Sequence, residues 1–413
     1  MHYGCIAEHL KHSFSPDIHA QLGDYRYELR EIEPQNLEQF LLERDFYGIN
    51  VTIPYKEKVI PYLSYIDEQA KEIGAVNTVV NRGGKLYGYN TDFYGMRSMI
   101  ERMGLSLAGK KVAVLGTGGT SRTARAVAAS MGAGTLLCVS RTAREGVISY
   151  DELYEKHADV QIFINTTPCG MFPNPESAAV DVARFPKLEG VADAVFNPLR
   201  PQLVMDAQKR GIPAEGGLFM LVAQAVRASE IFLNKTYPAD IAERIYQKLF
   251  RKKENIVLIG MPGSGKTTVG KLLAERLGRE FCDMDEAIQA TIEQPVSEYL
   301  AAHGEPAFRD LETHVLKEQI AQRTSCVIAT GGGAILRDEN VNDLSRNGCL
   351  YFLDRPLEDI RPTDDRPLSS SFDALKKRYE ERYDRYCSVS DVRIDVRGTA
   401  EQIAEQIGKD YEK

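Results

Sequence analysis

Asn255-Ile-Val-Leu-Ile-Gly260-Met-Pro-Gly263-Ser264-Gly265-Lys266-Thr267-Thr268 decides the fold of the C-terminal part of this chain. An apolar run ending in glycines reads as a strand buried on both faces. The glycines fit Gly-x-x-x-x-Gly-Lys-Ser/Thr, and Thr268 to Leu277 reads as the helix after the loop. Such a turn points backbone N–H groups at phosphate oxygens, and the helix N-terminus adds its dipole. Gly263, Ser264, Gly265 and Thr268 would line the phosphates of a nucleoside triphosphate, with Lys266 reaching the β- and γ-phosphates and the Thr267 hydroxyl on Mg²⁺. This predicts a P-loop domain that transfers a terminal phosphate.

Residues beyond the loop indicate the acceptor. Asp283-Met-Asp285 sits at the end of an apolar segment, where one carboxylate can support Mg²⁺ and the other receive a substrate hydroxyl; an ordinary solvated strand end is the alternative. Arg309 and Glu312 share one helix face three residues apart, a spacing equally common in surface ion pairs. Gly331-Gly332-Gly333 comes after the strand Cys326-Val-Ile and lets backbone approach a ligand. Asp364-Asp-Arg366-Pro-Leu reads as a polar loop with one cation, and Arg382 falls in a basic, tyrosine-rich helix from Lys376 to Tyr386.

In this order the pieces resemble shikimate kinase across residues 254–413, a nucleoside-monophosphate-kinase-like parallel-sheet fold. The resemblance implies that Asp283 helps hold Mg²⁺ and that Asp285 orients the shikimate hydroxyl, in the catalytic position with Lys266 and Arg366. It implies that Arg309 and Arg382 grip the shikimate carboxylate, with Gly332 behind the ring, and that Arg366 reaches the nucleotide from a lid. A bidentate guanidinium suits a planar carboxylate. Arg361 to Arg366 is shorter than the family's lid, and Ser369 replaces its second leucine.

Upstream, Lys110-Lys-Val-Ala-Val-Leu-Gly116-Thr117-Gly118-Gly119-Thr120-Ser121 is another strand running into glycines. It reads Gly-x-Gly-x-x-Ser, a weak dinucleotide fingerprint that a plain α/β turn would also satisfy. Ser140-Arg141-Thr142 stands where an NAD site carries an acid, and a cation there favours the 2′-phosphate of NADP(H). Strands expected at 135–139, 162–165 and 192–196 alternate with helices, which predicts a parallel sheet. Residues 1–99 mix short strands with helices such as Pro34 to Arg44, an α/β pattern. A helical stretch from Met220 to about Phe250 closes this half, and 250–254 reads as a short charged break.

His12-Ser13-Phe-Ser15-Pro, Asn50-Val-Thr52-Ile-Pro-Tyr-Lys56, Ala75-Val-Asn77-Thr and Asn90-Thr-Asp92 form a polar set suited to a small polyhydroxylated acid. With Asn165-Thr-Thr-Pro-Cys-Gly-Met and Gly217-Leu-Phe-Met-Leu-Val-Ala-Gln224, they resemble shikimate dehydrogenase over residues 1 to about 250. By that resemblance Ser13, Ser15, Thr52, Asn77, Asp92 and Gln224 bind 3-dehydroshikimate, and Lys56 with Asp92 forms the catalytic pair. NADPH would contact Glu68, the 116–120 turn, Ser140, Arg141, Thr142, Ala194 and Gly217. Phe196 stands at a substrate-side position where the family has a tyrosine, Ser140 replaces an asparagine, and 142–149 is too short for the family's helix. The implied domains are 1–99 for substrate, with helices of 226–250 packing back, 100–225 for NADP in a Rossmann fold, and 254–413 for the kinase.

The bulk numbers agree. At 413 residues the chain has room for two or three domains, and a net charge of −8 disfavours nucleic acid or membrane surfaces as partners. Seven scattered cysteines without a Cys-x-x-Cys pair, no basic-then-apolar leader and no long apolar run predict a reduced cytoplasmic protein. Oligomeric state has no signature. The leading expectation is two successive steps on one chain, since the product of the first half is the substrate of the second. The alternatives are an NAD-linked quinate or shikimate dehydrogenase beside a kinase for another hydroxy acid, and one half serving as a non-catalytic ligand-binding module.

Overall fold

A computed structural model of the protein describes residues 2–10, 13–360 and 372–412. The chain divides into two compact units, Met1–Leu249 and Phe250–Lys413. In the first unit, strands β1 (Tyr3–Ala7), β2 (Tyr27–Glu31), β3 (Gly48–Val51), β4 (Tyr65–Ile66), β5 (Thr78–Arg82) and β6 (Lys85–Tyr89) form one sheet. Its order is β2-β1-β3-β5-β6-β4, with β5 antiparallel to β3 and β6. The second sheet takes β7 (Lys111–Leu115), β8 (Thr135–Ser140), β9 (Ile148–Ser149), β10 (Ile162–Asn165), β11 (Gly190–Asp193) and β12 (Ala214–Glu215). Its order β12-β11-β10-β7-β8-β9 is parallel throughout, as alternating strands and helices require.

Helices Thr91–Arg102 and Leu218–Leu233 cross closely because Gly95 carries no side chain. A Cβ at Gly95 would lie 2.5 Å from Met220 O and 2.9 Å from Gln224 Cβ. Met96, Met99 and Ile100 pack from the first helix into the cluster around Val112, Val114, Ile162 and Ile164 of the second sheet. The long closing helix is two helices, Leu218–Leu233 and Ile241–Lys253, with Pro238 between them. The expected break at 250–254 is therefore helical through Lys253: Ile245 and Leu249 stay buried, and that apolar stripe outweighs the local charge. No helix forms between Thr142 and Ser149; an Arg144–Val147 bridge fills the gap, and Ser149 caps Tyr150–Lys156.

The second unit is one parallel sheet of β13 (Asn255–Ile259), β14 (Glu280–Asp283), β15 (Cys326–Ala329), β16 (Gly348–Asp354) and β17 (Val392–Asp395). Its order is β14-β15-β13-β16-β17, which puts the phosphate-loop strand at the centre. Every residue of β13 is buried, as an apolar run covered on both faces requires. The helix after the loop starts at Lys266, two residues earlier than its apolar pattern indicates. No helix among the described residues is long and apolar enough to cross a membrane.

Candidate active sites

In the first unit the chain leaves β3 through Thr52 and a cis Ile53–Pro54 bond before it reaches Lys56. Lys56 Nζ donates to Asp92 Oδ2 at 2.5 Å, both side chains largely covered. Asp92 is placed by the first turn of Thr91–Arg102, where the Asn90 side chain accepts the Phe93 N–H as the cap. Asn77, from the segment entering β5, accepts the Thr91 N–H at 2.7 Å and donates to Thr91 Oγ1 at 3.1 Å. Thr91 Oγ1 in turn reaches Gln224 Oε1 at 3.3 Å. The sequence-predicted Lys56, Asn77, Asp92 and Gln224 are thus brought to one place from four segments.

The Ser13 hydroxyl accepts the Ser15 N–H at 3.2 Å, and Ser15 also bonds Tyr27. Tyr27 donates to Asn50 Oδ1 at 2.7 Å, and Asn50 leads into Thr52. Tyr27 was not marked by the sequence, because it lies on β2 and enters this network only through sheet pairing. His12 lies outside the described residues.

The second sheet presents its glycine turn at the C-terminal end of β7. Gly116 has φ +107°, and a Cβ there would lie 2.8 Å from Thr166 Oγ1. At Gly118 and Gly119 an added Cβ would meet nothing within 4 Å, so this backbone faces open space. Ser121 explains the departure from a third glycine: it is buried, and its hydroxyl donates to Gly116 O at 2.7 Å, closing the turn. Ser140 ends β8, and Arg141 and Thr142 are exposed just beyond it, as are Glu68 on Glu68–Ile73 and the Gly118–Gly119 pair. Thr117 and Thr120 flank the turn half-covered.

Asn165 and Asp193 face each other in register at the ends of β10 and β11. Asn165 donates to Asp193 Oδ1 at 2.9 Å, and the same oxygen accepts the Val195 N–H. Burial pushes the Asp193 carboxyl up to about 7, against those two hydrogen bonds. The strand expected over 192–196 ends at Asp193, so Ala194 and Phe196 lie in the turn after it. Gly217 N donates to Val195 O at 2.8 Å, and a Cβ on Gly217 would clash with Ala194 O. That contact fixes Ala194 against the start of the helix carrying Gln224. The Phe196 ring meets Phe14 edge-on, centroids 5.6 Å apart, so the residue in place of a tyrosine packs on the Ser13–Ser15 loop.

In the second unit Gly263 and Gly265 take positive φ of 83° and 98°, the backbone the loop needs. Lys266 is buried, its Nζ donating to Gly260 O and Met261 O at 3.0 Å each. Ser264 Oγ is buried in the loop with no partner among the described residues. Thr267 Oγ1 donates to Asp283 Oδ2 at 2.8 Å, a hydroxyl and a carboxylate held together. No cluster of three or more His, Cys, Asp or Glu exists among the described residues. The Thr267–Asp283 pair still suits Mg²⁺, which takes one or two protein ligands and fills its shell with phosphate oxygens and water.

The two aspartates diverge instead of sharing a strand end. Asp283 closes β14 and caps the helix Met284–Ile292 by accepting the Asp285 N–H at 2.9 Å. Asp285, inside that helix, points to the triple glycine: a Cβ on Gly331 would lie 2.9 Å from Asp285 Oδ1. Arg309 and Glu312 are no surface pair. They bond at 2.7 Å with side chains 11% and 1% exposed, and burial raises the Glu312 carboxyl while Arg309 opposes it. Gly333 packs directly against the Arg309 guanidinium, where an added Cβ would collide with it.

Arg382, also buried, donates to Gly332 O at 3.1 Å. Tyr386, one turn further on, shares its one hydroxyl proton between Gly332 O at 2.5 Å and Gly260 O at 3.0 Å, so it ties the triple glycine to the phosphate loop. Its spacing after Arg382 on a tyrosine-rich helix was the available sign. Lys266, Thr267, Thr268, Asp285, Arg309, Gly332 and Arg382 line one cleft of about 640 Å³. Arg378 and Glu305 also belong to this site and were not marked by the sequence. Arg366 lies outside the described residues.

Comparisons with known proteins match both parts of the chain. A family model described as shikimate dehydrogenase substrate binding domain matches residues 5–79, and one described as shikimate kinase matches 262–412. The chain is 38% identical over 265 residues to shikimate dehydrogenase (NADP(+)) of Clostridium perfringens, covering 60% of this chain and 97% of that protein. Among solved structures it resembles shikimate dehydrogenase 1 from Peptoclostridium difficile (TM-score 0.55, 32% identity, 60% of this chain and 98% of that one). It also resembles a chorismate mutase/shikimate 5-dehydrogenase fusion from Clostridium acetobutylicum (TM-score 0.57, 32% identity, 60% and 96%). Over its N-terminal part the chain therefore belongs to the shikimate dehydrogenase family, and at its C-terminal end it carries a shikimate kinase domain.

Proposed function

We propose that this bifunctional shikimate-pathway enzyme reduces 3-dehydroshikimate to shikimate with NADPH in its first unit and phosphorylates shikimate with ATP in its second. The working domains are 1–99 with 226–250, 100–225, and 254–413, and we place the protein in the cytoplasm. The reduction reading rests on the 2.5 Å Lys56–Asp92 pair at the mouth of the sheet. NADPH, when bound, supplies the hydride. Lys56 then gives a proton to the oxygen of the ring ketone, and Asp92 holds the ammonium group in place. Asn77, Thr52, Ser13, Ser15 and Gln224 orient the hydroxyls and carboxylate of the substrate, with Phe196 packed over the Ser13–Ser15 loop. The glycine turn, Ser140, Arg141, Thr142, Glu68, Ala194 and Gly217 receive the cofactor, and the exposed Arg141 favours a 2′-phosphate.

The single observation that carries the kinase reading is the cleft holding the phosphate loop and the Arg309–Arg382 pair together. Phosphoryl transfer depends on positioning and charge neutralisation, and this cleft offers both. Thr267 and Asp283 would hold Mg²⁺, which would supply neutralisation of the phosphate charge. Lys266 must leave the loop carbonyls to reach the γ-phosphate, Asp285 orients the acceptor hydroxyl, and Arg309 and Arg382 hold the carboxylate against Gly332. Arg366 belongs to the nucleotide side of the same reading. The test is a pair of assays on the purified chain: NADPH oxidation with 3-dehydroshikimate, and ADP release with shikimate. Absence of either substrate-dependent signal rejects the corresponding half.

A further inference from the structure

Glu305 lies one turn before Arg309 and bonds its guanidinium at 3.1 Å, with Arg382 at 4.0 Å. Burial works to raise the Glu305 carboxyl, but the bond to Arg309 and the charges of Arg309, Arg378 and Arg382 hold it below the usual range. Glu312 holds Arg309 from the other side. The two arginines that would grip an acceptor carboxylate are therefore already matched by two carboxylates of the protein. Lys266 and Asp285, which line the same cleft, offset each other, so without a further cation the ionised pocket has no net charge to attract an acid.

Arg378 changes that sum. It stands one turn before Arg382 on the helix Phe372–Val389, so both face the same side, and it lines the same cleft. Among the described residues it makes no hydrogen bond or ion pair. Burial, then the charge of Arg382, lowers its affinity for a proton; Glu305 opposes this and Arg309 adds to it. An unpaired cation beside two like charges is costly, and an incoming anion relieves the cost. With Lys266 and Asp285 of the same cleft counted, four cations against Glu305, Glu312 and Asp285 leave one positive charge, the complement of one carboxylate.

We propose that Arg378 is a third acceptor-binding cation, which gives the pocket the net positive charge that selects a small hydroxy acid over an uncharged polyol. This rests on the kinase reading of the second unit. A charge-assisted hydrogen bond in a partly covered site changes affinity by about 10- to 100-fold.

The experiment is steady-state phosphorylation of shikimate at saturating ATP by the full chain, comparing wild type, Arg378→Gln, Arg378→Lys and Lys377→Gln. Lys377 is an exposed neighbour on the same helix and controls for loss of one charge. Arg378→Gln should raise the acceptor KM by about tenfold or more, change kcat much less, and weaken the rise of KM with salt. Arg378→Lys should recover part of the loss, and Lys377→Gln should match wild type. The residual kcat for phosphorylation, with the thermal unfolding of each variant, checks that its kinase unit is folded. An Arg378→Gln KM and salt response equal to those of Lys377→Gln, in an active kinase, overturns the inference; so does a fall in kcat at unchanged KM. A wild-type chain that releases no ADP with shikimate rejects the kinase reading itself, and the inference with it.

Discussion

Replacing Gly95 with alanine tests how the dehydrogenase site is assembled. The added Cβ would lie 2.5 Å from Met220 O, 2.9 Å from Gln224 Cβ and 3.2 Å from Gln224 N. Two of these neighbours are backbone, so a rotamer change cannot relieve the clash. Restoring ordinary contact at 3.5–4.0 Å needs the two helices to part by roughly 1 Å. Overpacking of this kind costs about 1–3 kcal/mol, which for a unit of this size lowers its melting temperature by roughly 2–12 °C. The same shift carries Gln224 away from Thr91 and Asp92, and a displacement of about 1 Å at a positioning residue can lower kcat/KM by about 100-fold. The assay compares 3-dehydroshikimate reduction and thermal unfolding of wild type and Gly95→Ala. Shikimate phosphorylation by the same chain serves as the internal control. Unchanged melting together with unchanged reduction would refute the close helix crossing and the role given to Gln224.

Lys56→Met should abolish reduction and spare phosphorylation, and Lys266→Met should do the reverse; loss of both activities from either change, in a folded chain, rules out two independent sites. Burial raises the Asp193 carboxyl from 3.8 to about 7, so the stability it contributes is complete below about pH 4 and lost as pH rises through about 7. Asp193→Asn removes that titration, so chemical denaturation should show the variant gaining on wild type between pH 5 and 8; parallel pH profiles would count against the buried, protonated acid. Ser121→Ala deletes the 2.7 Å bond to Gly116 O, worth about 0.5–1.5 kcal/mol, and should raise the KM for NADPH roughly 2- to 12-fold. A KM equal to wild type would mean that the serine does not shape the turn.

What the sequence settled by itself is local. Asn255 to Thr268 declares strand, loop and helix within fourteen consecutive residues, because buried strands, positive-φ glycines and helix starts are short-range requirements. The same holds for Gly116 to Ser121, and for the groups that flank Lys56 and Asp92. The positions that went unmarked or were misplaced depend on neighbours distant in the chain. Tyr27 joins the Asn50 network only because β2 pairs with β1 and β1 with β3. Local charge made 250–254 look like a break, yet burial of Ile245 and Leu249 holds the helix through Lys253. Spacing made Arg309 and Glu312 a possible surface pair; only packing against Gly331 and Gly333 showed them buried in the cleft beside the phosphate loop. Glu305 and Arg378 carry no motif at all, because the charge of a pocket is a sum over everything that lines it. Residue type and spacing therefore identify the chemistry each half performs, while tertiary contact decides which charges remain unpaired to receive a substrate.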